Sequence, residues 1–167
     1  MARVHFVKSA RKDYPDHKIK KGESYYWWQF AFRGKSFSKT QPTRSQLTQS
    51  GFLQAFYDLQ DRIGSLSAET ADDLQTQVED IISEIESVRD EQQERLDNMP
   101  EHLQESSGSG QLLQERIEGL EQWQSDIENI DLNYEADEDL KPDEQEEALR
   151  EFIEQAIMEI QALDPGF

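Results

Sequence analysis

Apolar residues recur at alternating steps of four and three positions along most of the chain between residues 52 and 163. This spacing is the a/d pattern that places a narrow apolar stripe along one side of an α-helix. Glu, Asp, Gln and Ser fill the positions between the stripes, as expected for solvent-facing sides. The pattern predicts four amphipathic helices, at about residues 45–65, 70–99, 110–131 and 142–163.

Local signals set these helix bounds. Thr43 and Gln46 have the spacing of a capping box, which favours a helix start after Pro42. Pro100 and the Gly/Ser run at 105–110 interrupt the apolar pattern, because proline lacks a donor and this run has low helix propensity. This stretch is therefore predicted to be a reversal loop or a hinge.

The apolar stripes require a partner, since an isolated helix with so narrow an apolar face is unstable in water. One solution is an antiparallel, coiled-coil-like four-helix bundle within the chain, with the second and third helices forming its main hairpin. The other solution is a homodimer that pairs through a long helical arm. The spacing is compatible with both.

Residues 24–40 instead follow a period of two. They consist of an aromatic run and a run of alternating polar and aromatic residues, joined by a turn at Gly34. That pattern is typical of a β-hairpin, and Val4–Val7 supplies a third strand. Along the first run, alternation separates Tyr26 and Trp28 from Tyr25 and Trp27. We therefore predict an α+β protein with a basic aromatic β head, residues 1–44, and an acidic helical body, residues 45–167.

Charge divides the chain in a similar place. Residues 1–50 carry eleven Lys/Arg and three Asp/Glu, about +8, whereas residues 51–167 carry six and thirty-three, about −27. Such asymmetry indicates two surfaces with different partners. In the head, bases beside aromatic rings suit phosphate contacts and base stacking. The candidate nucleic-acid-binding residues are Tyr25, Trp27, Arg33, Lys35, Lys39 and Arg44.

Each surface also has a simpler interpretation. The aromatic side chains of the head pack on the following helix, or the basic head docks on the acidic body of its own chain or of a second copy. The acidic body is either a set of solvated helix faces or a surface whose charge resembles that of DNA. In the second case it contacts a basic host or defence protein. The candidate residues for that contact are Glu135, Asp137, Glu138 and Asp139.

Several classes of function are disfavoured. There is no cysteine, and three scattered histidines do not suit a zinc site, so we expect no metal and no cofactor. We find no catalytic motif, which favours a non-enzymatic role. Without an apolar leader or a run of about 20 apolar residues, we expect a cytoplasmic protein that makes no membrane contact.

Two stretches resemble a family of small acidic proteins from bacteriophages and prophages. They are Lys20–Trp28, continued by Gly34-Lys35 and Pro42–Leu47, and Asp97–Gln104, continued by Gly110–Leu113. Family members carry a zinc-ribbon-like head with cysteine pairs, which this chain lacks, so zinc is not implied here. The family has no assigned activity, so the resemblance implies a phage setting, the cytoplasm of an infected bacterium.

Three hypotheses follow from the residues and the resemblance together. The first is a phage accessory protein whose head contacts nucleic acid or a nucleoprotein. The second is a DNA-mimic-like inhibitor of a host or defence protein. The third is a dimeric spacer or virion component that uses the coiled-coil stripes.

Overall fold

The computed structural model describes residues 1–137 and 141–166. A three-stranded antiparallel sheet is followed by helices, which confirms the predicted α+β class. The chain divides into two compact units, a head unit Met1–Asp58 and a body unit that starts at Leu59. Across the described ranges, no helix is long and apolar enough to cross a membrane.

The sheet contains β1 (His5–Val7), β2 (Tyr25–Gln29) and β3 (Lys35–Ser38), with β2 in the centre. His5 and Phe37 lie opposite Trp27, from β1 and β3 respectively. Both sides of β2 are packed, because Tyr25 is buried in one cluster and Trp28 is buried on the other face. The three strands and the hairpin were predicted; the burial of both faces was not.

The connection between β1 and β2 folds back on the sheet. The Ala10 N–H donates to the Glu23 carbonyl at 2.8 Å, and the Gly22 N–H donates to the Ala10 carbonyl at 2.9 Å. Gly22 has a φ of +93°, a backbone region in which glycine avoids a steric penalty. This turn brings the buried Ala10 and Ile19 against Tyr25.

The predicted helix start at residue 45 is wrong. Ser45–Leu47 form a single 3-10 turn, and α1 spans Gly51–Gly64. Gln46 accepts from the Thr43 N–H at 3.2 Å, but the Thr43 hydroxyl bonds the Ser45 hydroxyl at 2.9 Å, so half of the capping box forms. The first half of α1 belongs to the head unit, and the division therefore falls within α1 rather than at residue 44.

The body unit contains α2 (Ala71–Asp97), the short α3 (Glu101–Gln104), α4 (Gly108–Glu128) and α5 (Pro142–Ala162). Near the chain reversal, Leu96 packs with Leu113; further along, the Arg89 guanidinium donates to Gln124 at 3.3 Å. Residues earlier in α2 therefore contact residues later in α4, so the two helices run antiparallel. The predicted pairing of these two long helices is confirmed.

The apolar stripes form the core of the bundle. Most residues of α2, α4 and α5 that follow the four–three spacing are buried, and Leu74, Ile85, Leu120 and Ile160 are 0% exposed, whereas Leu149 near the start of α5 is half-buried. At the C-terminal end of α5, the Gln161 amide donates to the carbonyl of Ile63 at 3.0 Å. Contacts within one chain therefore bury the central part of these stripes.

The Gly/Ser run was predicted to be a loop or a hinge, but its second half is helical. Ser107 caps α4 by accepting from the Gly110 N–H at 3.0 Å, so Gly108-Ser109-Gly110 form the first helical turn. A Cβ on Gly110 would lie 2.6 Å from the Leu103 carbonyl oxygen and closer still to that of Gln104. The glycine permits α3 and α4 to approach closely.

This geometry predicts opposite effects for two neighbouring glycines. Gly110→Ala should destabilise the body by about 1–3 kcal/mol, because rigid backbone carbonyls occupy the space that the methyl group needs. Gly108→Ala is the matched control, since nothing lies within 4 Å of its Cβ position. It should be neutral or stabilising by up to about 1 kcal/mol. Urea unfolding followed by circular dichroism measures both; equal effects would contradict this packing.

Candidate functional site

A groove of about 650 Å³ runs beside β3, at the edge of the sheet in the head unit. Its lining comes from the end of β2 and the turn that follows it, from β3, from the stretch between the 3-10 turn and the start of α1, and from His17. The lining residues are His17, Trp28, Phe30, Arg33, Lys35, Ser36, Phe37, Gln46, Thr48, Gln49 and Gln54.

The chemistry of this lining is suited to anions. Arg33 and Lys35 are exposed and bring two positive charges. None of the lining residues identified in the described head is an Asp or Glu, so the lining itself carries positive charge. The glutamines supply amides that both donate and accept hydrogen bonds. The groove therefore combines phosphate-binding cations with groups that can contact sugars and base edges.

The turn between β2 and β3 presents Arg33 at one end of the groove. The Arg33 N–H donates to the Phe30 carbonyl at 3.2 Å, and the Gln29 amide donates to the Arg33 carbonyl at 2.7 Å. These bonds close a β-turn with Phe32 at its third position, rather than a turn centred on Gly34. Phe32 has a φ of +61° and is 107% exposed, so its ring extends into solvent.

Trp27 is less accessible for stacking than its sequence position suggested. The His5 imidazole stacks on its indole, with centroids 4.1 Å apart and planes 9° from parallel. The Lys35 ammonium lies 4.2 Å from the ring centroid. Because β1 and β3 flank β2 on opposite sides, these two groups approach from opposite sides. Both faces of the ring are therefore occupied, and a base would have to displace one of them.

Tyr25 is corrected as a candidate contact residue. It is 7% exposed and belongs to the cluster of Ala10 and Ile19, on which Tyr14 and Phe37 pack. A hydrogen bond with the Tyr14 side chain is the main cause that raises the pKa of Tyr25. Its ring stabilises the sheet and is not presented to a ligand.

Lys39 and Arg44 lie apart from the groove lining. The Lys39 ammonium pairs with the Glu23 carboxylate at 2.8 Å. The Arg44 guanidinium lies 4.1 Å from the centroid of the Tyr57 ring. Of the six predicted head residues, the groove thus brings together Arg33 and Lys35, with Trp27 next to Lys35.

The sequence interpretation did not propose several of the lining residues, namely His17, the aromatic residues Trp28, Phe30 and Phe37, and the polar residues of the segment 46–54. His17 stacks on Phe37 with centroids 4.7 Å apart, which places it beside β3 although it lies far from β3 in sequence. The segment 46–54 was predicted as one continuous helix, whereas a short loop with Thr48 and Gln49 separates the 3-10 turn from α1. The lack of carboxylates from 24 to 57 is a signal that could have indicated the groove.

In the body unit, Glu135 and Asp137 are exposed in the segment that follows α4. Glu138 and Asp139 lie outside the described residues. In the described ranges, no three His, Asp or Glu side chains form a group that could hold a metal ion.

Comparisons with protein families, with curated proteins and with solved structures found no match to this chain.

The ion pair with Lys39 leads to a prediction about the pKa of the Glu23 carboxyl group. A hydrogen bond from the Lys20 backbone N–H, and then Lys39, lower the pKa of Glu23 below its ordinary value of 4.5. The stability that this carboxylate contributes is therefore complete above 4.5 and is lost as the pH falls through the lowered pKa. Lys39→Gln should raise the midpoint of the Glu23 carboxyl in an NMR titration, part of the way to 4.5. An unchanged midpoint would argue against the ion pair.

Proposed function

We propose that this chain is a non-enzymatic accessory protein whose head binds nucleic acid through the groove beside β3. The observation that carries the proposal is the groove lining, in which Arg33 and Lys35 stand beside aromatic and amide side chains without a carboxylate. We assign a binding role because such groups hold phosphates and bases. The proposed setting, which follows the sequence resemblance, is a bacteriophage protein in the cytoplasm of an infected bacterium.

The two cations define how strongly binding should depend on salt. Each phosphate contact releases a condensed counterion, so the affinity falls as salt rises, with a slope that counts the contacts. Arg33 and Lys35 are the two exposed cations of the groove lining. If each contacts one phosphate, they account for about 1.4 units of that slope on a single strand and about 1.8 on a duplex.

We expect the double variant Arg33→Gln with Lys35→Gln to bind oligonucleotides at least about tenfold more weakly and to reduce the salt slope by about 1.4–1.8. Fluorescence anisotropy with single-stranded DNA, duplex DNA and RNA at several salt concentrations measures both quantities. The matched control is Lys8→Gln with Lys21→Gln, which removes the same charge from exposed head residues outside the groove lining. It should retain most of the affinity.

Two results would contradict the proposal. One is that the parent protein binds no probe at low salt. The other is that the groove variant and the control lose the same affinity, since net charge and not the groove would then govern binding.

A second candidate function belongs to the body, an acidic decoy for a DNA-binding host or defence protein. No Asp or Glu in the described part of the body is buried, so its carboxylates form the surface of a helical scaffold. The ion pair between Arg150 and Glu154 is exposed, and such pairs contribute little to stability. This surface presents dense negative charge, which a basic DNA-binding face would recognise.

Capture from a host lysate by the full chain tests this second candidate. A captured partner should be released by excess duplex DNA and weakened by Glu135→Gln with Asp137→Asn, which leave the head unchanged. The groove variant Arg33→Gln with Lys35→Gln should capture it as well as the parent does. If the groove variant loses the partner and the body variant keeps it, the decoy function is excluded.

A further inference from the structure

We propose that Phe32 stacks on an unpaired nucleobase, so that the head selects single-stranded nucleic acid over continuous duplex. This inference rests on the proposed function and specifies its ligand. Phe32 is the third residue of the turn between β2 and β3, and it immediately precedes Arg33 of the groove.

The other large rings of the sheet are engaged within the fold. Trp28 is 5% exposed, and Trp27 lies between His5 and Lys35. Phe6 is 58% exposed, but its ring packs on that of Tyr26 at 5.0 Å. Phe32 has the largest exposure of the large apolar residues in the described ranges, and its ring can accept a base on either face.

Phe32 has a backbone conformation that is unfavourable for phenylalanine. At φ +61°, the third turn position favours Gly or Asn, and a phenylalanine there has a steric penalty. An exposed ring gains nothing from burial. The fold thus bears an unfavourable backbone and an unfavourable exposure at one residue, which points to a role outside folding.

Charge and shape identify the occupant. Arg33 and Lys35 attract an anion beside the ring, and the groove offers amides and hydroxyls rather than an apolar surface. A single strand supplies phosphates together with flat, unpaired rings. In a duplex the bases are already stacked, so reaching one would require unstacking. An acyl chain would leave the polar lining unmatched.

The test compares the full-length parent with Phe32→Asn, Phe32→Tyr and Phe6→Thr. The probes are oligothymidylate of about 16 nucleotides, an abasic oligomer with the same phosphates, and a duplex of equal length. The parent should prefer oligothymidylate to both other probes. Phe32→Asn should bind it roughly 5- to 150-fold more weakly, the loss expected when one stacking aromatic is removed, and should bind the abasic oligomer as the parent does. Phe32→Tyr and Phe6→Thr should keep the preference.

A thermal melt excludes misfolding as the cause. Asn tolerates the left-handed backbone, so Phe32→Asn should melt at the same temperature as the parent or higher. The proposal is overturned if Phe32→Asn retains the preference for bases, or if the parent binds the abasic oligomer equally well. It is also overturned if Phe32 governs binding to phosphatidylserine vesicles instead of to oligonucleotides.

The failures of the two proposals are distinguishable. If Arg33→Gln with Lys35→Gln weakens binding whereas Phe32→Asn does not, the groove binds nucleic acid and the stacking proposal is wrong. If the parent binds none of the oligonucleotides, both proposals are wrong.

Discussion

The candidate site depends on the anchoring of β2 from both of its faces. Tyr25 is held in the cluster with Ala10 and Ile19, while Trp28 is buried on the opposite face. A shift of one residue would move each of these side chains to the opposite face of the sheet, so the register is strongly determined. Gln29 is thereby paired with Lys35, and the intervening turn has a set length. The positions of Phe32 and Arg33 follow from that pairing.

This anchoring also explains why the most prominent aromatic residues are not the exposed ones. In a three-stranded sheet, a ring on the central strand has neighbours on both sides, as Trp27 has in His5 and Lys35. A ring in the connecting turn has no strand beside it. The accessible aromatic surface therefore moves to the end of the hairpin, next to the cations of the groove.

The helical stripes were predictable because periodicity reports burial directly. Leu74, Ile81 and Ile85 were assigned to one stripe, and all three are 0% exposed. The start of α4 was not predictable from propensity, since Gly110 is selected by the close approach of carbonyls that lie outside its own helix. The groove required contacts between residues distant in sequence, as between His17 and Phe37, and alternation within one strand contains no information about these.

Tertiary packing also determines how accessible Tyr25 and Trp27 are, the two aromatic residues that the sequence interpretation proposed as contacts. Tyr25 and Trp27 do share a face, as alternation predicted, but the connection between β1 and β2 covers one of them and strand neighbours enclose the other. Alternation assigns side chains to faces, and only the rest of the chain determines which face, or which part of it, reaches solvent.

The charge distribution makes the uncharged Phe32 ring important for the affinity of the proposed binding. Residues 51–167 carry about −27, which repels a nucleic acid wherever the body lies within a Debye length of it, about 8–10 Å at physiological salt. Salt weakens this repulsion and the attraction of Arg33 and Lys35 together. Stacking on Phe32 carries no charge and depends little on screening. In a chain with so acidic a body, we therefore expect the exposed ring to supply the part of the proposed affinity that depends least on salt.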